Sequence, residues 1–151
     1  MALDIDILAG GRAKAAPESQ IALSYLARAR DAGRALGLAS FALTEVDERK
    51  PDKMVELSRA SRLVVALDES GQSLSSEAFA RQLSSWRDAG ETRVLFAIGG
   101  PDGLPAQVKK TARLTLAFGT QTWPHLLVRT MLAEQLYRAI TILAGHPYHR
   151  P

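Results

Sequence analysis

The 151-residue sequence contains no cysteine. That absence excludes a disulfide framework, a thiolate nucleophile and any cysteine-bound metal. Aromatic residues are scarce at 6%, and there are only three histidines and two tryptophans. No apolar run approaches the ~20 residues that a bilayer-crossing helix needs. The opening MALDIDILAGG carries Asp4 and Asp6 where a signal peptide would carry basic residues. The cytoplasm is therefore the expected compartment, with no membrane partner. A net charge of +3 is too small to mark a polyanion-binding protein by itself. Several motifs are missing too. Neither Gly10-Gly11 nor the later IGGPDG has G-x-G-x-x-G spacing, no Gly-Lys-Ser or Gly-Lys-Thr occurs, and no HExxH or Ser-His-Asp order is present. Classical dinucleotide binding, P-loop phosphoryl transfer and zinc hydrolysis have no anchor here, and no metal is expected.

What is present is ordinary globular material, 46% hydrophobic and 23% charged. Its length suits one domain over residues 1–151. Three short apolar segments end in turn residues and read as buried strands: Leu3 to Leu8, Leu63 to Leu67 ending at Asp68, and Val94 to Ile98. Phe41 to Val46 and Leu114 to Phe118 are weaker candidates. Helical patterns lie between them. Pro17 suits a first helical turn, and Ile21, Tyr25, Ala29, Ala32 and Leu36 fall near one face before Gly37. Ser75 or Ser76 can cap a helix that carries Phe79, Leu83 and Trp86 and stops at Gly90. The alternation predicts an α/β fold, a mostly parallel sheet with helices on both faces. The last helix, Pro124 to about Ala144, is apolar nearly all round, with Leu126, Leu127, Val128, Met131, Leu132, Leu136, Ile140, Ile142 and Leu143. Such a helix must be covered on more than one side. Core on one side and a second copy of the chain on the other predicts a homodimer.

Three stretches could carry chemistry. IGGPDG, Ile98 to Gly103, follows a strand; it is either a tight turn or a loop whose bare main chain meets a ligand, with Asp102 as an acceptor. GTQTWPH, Gly119 to His125, leads into the last helix. It could hold a small polar ligand by its main chain with Trp123 as a wall, or Trp123 could be core and Thr122 a cap. The chain closes on HPYHRP, which concentrates His146, Tyr148, His149 and Arg150 in what would otherwise be a solvated end. On the last helix, His125 and Arg129 share one face, while Glu134 and Arg138 form an i,i+4 pair and Arg138 points almost oppositely to His125. Within one subunit these cannot serve one site.

VALDESGQSLSSEAFA, VLFAIGGPDGLP and TWPHLLVRTMLAEQLYRAITILAGHPYHR, in that order, resemble the RlmH family, from about Leu63 to Arg150. The opening ILAGGRAKAAPESQIALSYLARA is similar more loosely. That family consists of methyltransferases of the SPOUT superfamily that act on N3 of a pseudouridine in large-subunit ribosomal RNA. The resemblance implies a fold with a deep C-terminal trefoil knot, a homodimer, S-adenosylmethionine as cofactor and the assembled ribosome as partner. It places the cofactor at Leu67, Gly100, Gly119, Thr120, Gln121, Thr122, Trp123 and Pro124. Gln121 stands where relatives commonly have an aliphatic residue, and the stretch Asp47 to Ser61 is shorter than usual while keeping Arg49, Lys50 and Lys53.

Methyl transfer to an imide nitrogen requires that nitrogen to lose its proton and to stand in line with the methyl group. Tyr148, His149 and Arg150 of a flexible tail, supported by Arg138 and His125, are the expected target-base contacts, reaching into the neighbouring subunit. His149 could be the general base, or Arg150 could stabilise the imide anion while water takes the proton. A SPOUT enzyme acting on another RNA such as tRNA, and a non-catalytic ribosome-binding dimer, are the competing functions.

Overall fold

The computed structural model describes residues 2–151. Five strands, β1 (Leu3–Gly10), β2 (Leu38–Val46), β3 (Val64–Gln72), β4 (Arg93–Ile98) and β5 (Leu114–Leu116), form one sheet in the order β2-β1-β4-β3-β5. Every pairing is parallel. Four α-helices lie between them, α1 (Pro17–Gly33), α2 (Pro51–Arg59), α3 (Ser76–Asp88) and α4 (Ala106–Thr111), and α5 (His125–Ala144) follows the last strand.

The strands are apolar on both faces because both faces are covered. Ile5, Ile7, Val65, Phe96 and Ile98 face a large core shared with α1, α3 and α5. Leu8, Val64, Ala66, Leu95 and Ala97 face a smaller one capped by Met54 of α2 and Val108 of α4. The result is the expected α/β arrangement with helices on both faces. Ser75 is the cap of α3; its hydroxyl accepts the Ala78 amide at 3.1 Å, and Phe79, Leu83 and Trp86 are buried as their spacing predicts.

Two expectations need correction. The buried stripe of α1 is Ala22, Leu26, Ala29 and Gly33, whereas Ile21 is 48% exposed and Ala32 is also at the surface. Small residues win the core face because α1 lies close against α5 and β2. A methyl group on Gly33 would stand 2.6 Å from the Leu38 carbonyl oxygen and 3.3 Å from Ile140. The second concerns β3, which does not stop at Asp68 but runs on to Gln72, where a register shift lets Gln72 pair with Leu116 of β5. The polar end of β3 leaves the core and becomes the rim of a cleft.

Candidate active site

In open parallel sheets the carboxyl ends of the strands, where the strand order reverses, are the usual place for a ligand. Here the carboxyl ends of β4, β3 and β5 open into a cleft of about 550 Å³. Leu67, Ile98 and Leu116 form its floor. Gly99, Gly100 and Leu104 stand on one side, Phe118, Gln121, Thr122 and Trp123 on the other, and His125 and Val128 of α5 close it.

IGGPDG is a tight turn whose glycines also border the cleft. The Gly103 amide donates to the Gly100 carbonyl at 3.0 Å, and Gly103 has a φ of 82°, so the segment is a tight turn. Its back is cleft wall. A methyl group on Gly99 would lie 2.3 Å from the Gly103 carbonyl carbon, so only glycine closes this turn. Asp102 lies outside the cleft, on a smaller hollow shared with Glu48 and Pro105.

The loop before α5 is held by polar contacts. The Trp123 indole N–H donates to the Phe118 carbonyl at 2.9 Å, leaving the ring 39% exposed along the cleft. Thr122 does not cap α5; its hydroxyl donates to the Glu69 carboxylate. Leu67, Gly100, Gln121, Thr122, Trp123 and Pro124 therefore line the cleft. Gly119 lies on an adjoining hollow, with its amide on the Ser73 hydroxyl at 3.2 Å. Thr120 is exposed on the same loop and is not among the lining residues. Sequence reasoning missed Asp68 and Glu69 because it ended β3 too early. Hydrogen bonding by Ser70 holds the Asp68 carboxyl below its ordinary range, so it presents a carboxylate at the rim.

At the start of α5, His125 lines the cleft beside the Gly11 turn; a methyl group on Gly11 would be 3.7 Å from His125 Nε2. One turn further, Arg129 is fully buried. It donates to the Glu45 carboxylate at 2.5 Å and to the Gly11 carbonyl at 2.8 Å, and so ties α5 to the ends of β1 and β2. Arg138 lies roughly 20 Å from His125 along the same helix axis, at 1.5 Å per residue. His125 and Arg138 are thus not brought together within one chain.

The tail is docked rather than free-swinging, and this corrects the expectation of a flexible end. The chain leaves α5 through Gly145, with a φ of 72°, and folds back against α5, α3 and α1. The Tyr148 ring meets Tyr137 edge-on at 4.9 Å, and the Arg138 guanidinium lies over it at 4.9 Å. Burial pushes the Tyr148 phenol above its ordinary value, which keeps its proton in place. His149 bridges Arg138 of α5 and Glu77 of α3, at 3.1 and 2.9 Å. Arg150 is left exposed at the surface. The molecule thus carries an apolar, glycine-walled cleft at one end of α5 and an anchored cationic tail at the other. Among the described residues no cluster of three or more His, Cys, Asp or Glu side chains could hold a metal, and no helix is long and apolar enough to cross a membrane.

Residues 3–149 match the family model described as "Predicted SPOUT methyltransferase". The "Ribosomal RNA large subunit methyltransferase H" of Bradyrhizobium diazoefficiens is 46% identical over 157 residues, covering 97% of this chain and 98% of that one. The protein of the same name from Caulobacter vibrioides is 48% identical over 153 residues, covering 98% and 99%. Among solved structures, a probable methylase family protein from Haemophilus influenzae Rd KW20 matches with a TM-score of 0.52 at 12% identity, over 99% of this chain and 70% of that one, a likeness of fold. With the match running from the first strand to the tail, the chain belongs to the SPOUT methyltransferase family.

Proposed function

We propose that this chain, as a single methyltransferase domain in the cytoplasm, methylates N3 of a pseudouridine in large-subunit ribosomal RNA, on the assembled ribosome and as a homodimer. The observation that carries this reading is the end-to-end identity with relatives named as large-subunit rRNA methyltransferases, in a chain that retains both the cleft and the HPYHR tail.

S-adenosylmethionine supplies the methyl group from its sulfonium. The cleft suits it. Leu67, Ile98, Leu116 and Trp123 offer apolar surface for a flat base, the bare main chain at Gly99 and Gly100 allows close approach, and the acidic rim suits hydroxyl and ammonium groups. The tail's work is on the other reactant. N3 of the base must give up its proton, and Arg150 beside it stabilises the charge that develops there. Tail and cleft lie at opposite ends of one helix, so the arrangement requires the tail of one subunit at the cleft of another. An open hollow lined by Ile21, Tyr25, Met131 and Gln135 between α1 and α5 offers the apolar surface for such a pair.

The test is transfer of labelled methyl to assembled ribosomes, isolated large subunits, naked large-subunit RNA and bulk tRNA, all from cells lacking this gene. Label confined to ribosomes is the expected result. Label on tRNA alone would show a SPOUT enzyme with a different target. No label on any substrate with the cofactor bound would point to a target changed by Gln121 and the short stretch Asp47 to Ser61, and no cofactor binding either would leave a non-catalytic dimer of the same fold.

A further inference from the structure

The contacts of His149 fix where its proton is. A guanidinium has donors and no acceptor. Arg138 Nη1 lies 3.1 Å from His149 Nδ1, so Nδ1 must be the bare, accepting nitrogen. The ring proton is then on Nε2, which donates to Glu77 Oε1 at 2.9 Å. Both nitrogens are engaged, and a second proton on Nδ1 would be driven against Arg138. A general base needs a free lone pair within reach of the proton that it takes. In this arrangement His149 has none.

The ring sits inside a connected chain of charges. Arg138 is itself held by Glu134, at 2.6 Å, one turn earlier on α5, and its guanidinium covers Tyr148. Glu77 stands in the first turn of α3, and its hydrogen bond to His149 holds its carboxyl below the ordinary range. Thus α5 grips one edge of the imidazole and α3 the other. Arg150, which follows directly, is exposed and makes no hydrogen bond or ion pair among the described residues.

We propose that Glu77 is a positioning residue for methyl transfer: acting through His149 it fixes the tail so that Arg150, and not an imidazole base, is presented to the target imide. The inference rests on the reading of the tail given above. The imide proton then leaves to solvent, the N3–methyl bond forms as the sulfur–methyl bond breaks, and the sulfonium becomes a neutral thioether.

The experiment uses full-length Glu77→Ala, Glu77→Gln and Arg150→Ala. It combines single-turnover methyl transfer to ribosomes, S-adenosylmethionine binding, and ring-nitrogen NMR of the tail histidines. The wild-type ring should show the Nε2–H tautomer. Glu77→Ala should keep the Nε2–H tautomer that Arg138 imposes but lose the hydrogen-bond shift of that N–H, and should transfer methyl roughly 10- to 100-fold more slowly, the scale of a small misplacement, with cofactor binding unchanged. Glu77→Gln should restore both shift and rate, because its amide oxygen accepts the same N–H; it also lacks the charge, so a loss through the helix dipole would appear in both variants. A wild-type ring protonated on Nδ1, or a Glu77→Ala enzyme at the wild-type rate beside an inactive Arg150→Ala, would overturn the proposal. Full transfer by Arg150→Ala would instead show that the tail reading beneath it had failed.

Discussion

Arg129 is 1% exposed, and the carboxylate that answers it, Glu45, is only partly so. Burial pushes the Glu45 carboxyl up, but hydrogen bonds from Arg129 and from the Ala13 amide outweigh it and hold the group below its usual value of 4.5. A carboxyl depressed in the folded state contributes stability above its unfolded value and loses that contribution as the pH falls through the folded one. Glu45→Gln should therefore be less stable than the wild type near neutrality by about 1 kcal/mol, after allowing for solvent screening. The gap should close as the pH falls below 4.5. Urea midpoints measured across that range check this, and a gap that stayed constant would show that Arg129 does not depend on the charge. Sequence spacing placed Arg129 and His125 on one face of α5. It could not show that one would be a buried tie and the other a cleft residue, since that depends on where the Gly10-Gly11 turn and Glu45 come to lie. Nor could it show that Arg138 would occupy the His149 Nδ1 lone pair while Glu77 accepts the Nε2 proton, because both contacts depend on how the tail folds back.

At the scale of elements, strands were legible wherever apolar runs are buried on both faces, as in β1 and β4. They were misread where a strand leaves the core. The stretch Asp68 to Gln72 is polar, so pattern alone stops β3 early, while its pairing with β5 carries it on. In α1 the error lay at Ile21 and Ala32, which are exposed, whereas Ala29 is buried and Tyr25 packs against the core as expected. Gly33 has an ordinary helical φ of −78°, so it is needed for space and not for conformation. Alanine there would gain up to about 1 kcal/mol of helix propensity, yet its methyl group would press on the main chain at Leu38. The expected net result for Gly33→Ala is a loss of about 1–3 kcal/mol, or roughly 2–10 °C in melting temperature for a chain of this size. Leu23→Ala, on the exposed side of the same helix and outside the hollow between α1 and α5, should melt within a degree or two of the wild type, since surface changes away from special contacts are nearly neutral. Equal melting temperatures for Gly33→Ala and the wild type would mean that α1 can move off the sheet at no cost.

At the scale of the whole molecule, the separation of cleft and tail makes a quantitative demand. Val128 is half-buried and faces the cleft, so Val128→Trp should fill the cleft without disturbing the tail. Arg150→Glu removes the exposed cation of the tail and leaves the cleft intact. Each variant alone should fail to methylate ribosomes. In a homodimer whose tails cross between subunits, a mixed pair regains one working site: the open cleft of the Arg150→Glu subunit served by the intact tail of its Val128→Trp partner. Random re-pairing makes half the dimers mixed with one site in two restored, so an equal mixture should recover about a quarter of wild-type activity. A tail that served its own subunit would leave the mixture as inactive as its components, because no single chain would carry both parts. A monomer would give no recovery either, and sedimentation of the wild-type chain separates that case from a dimer whose tails serve their own subunits. If the chain sediments as a monomer, the hollow between α1 and α5 would have to be covered by something other than a second copy of this chain.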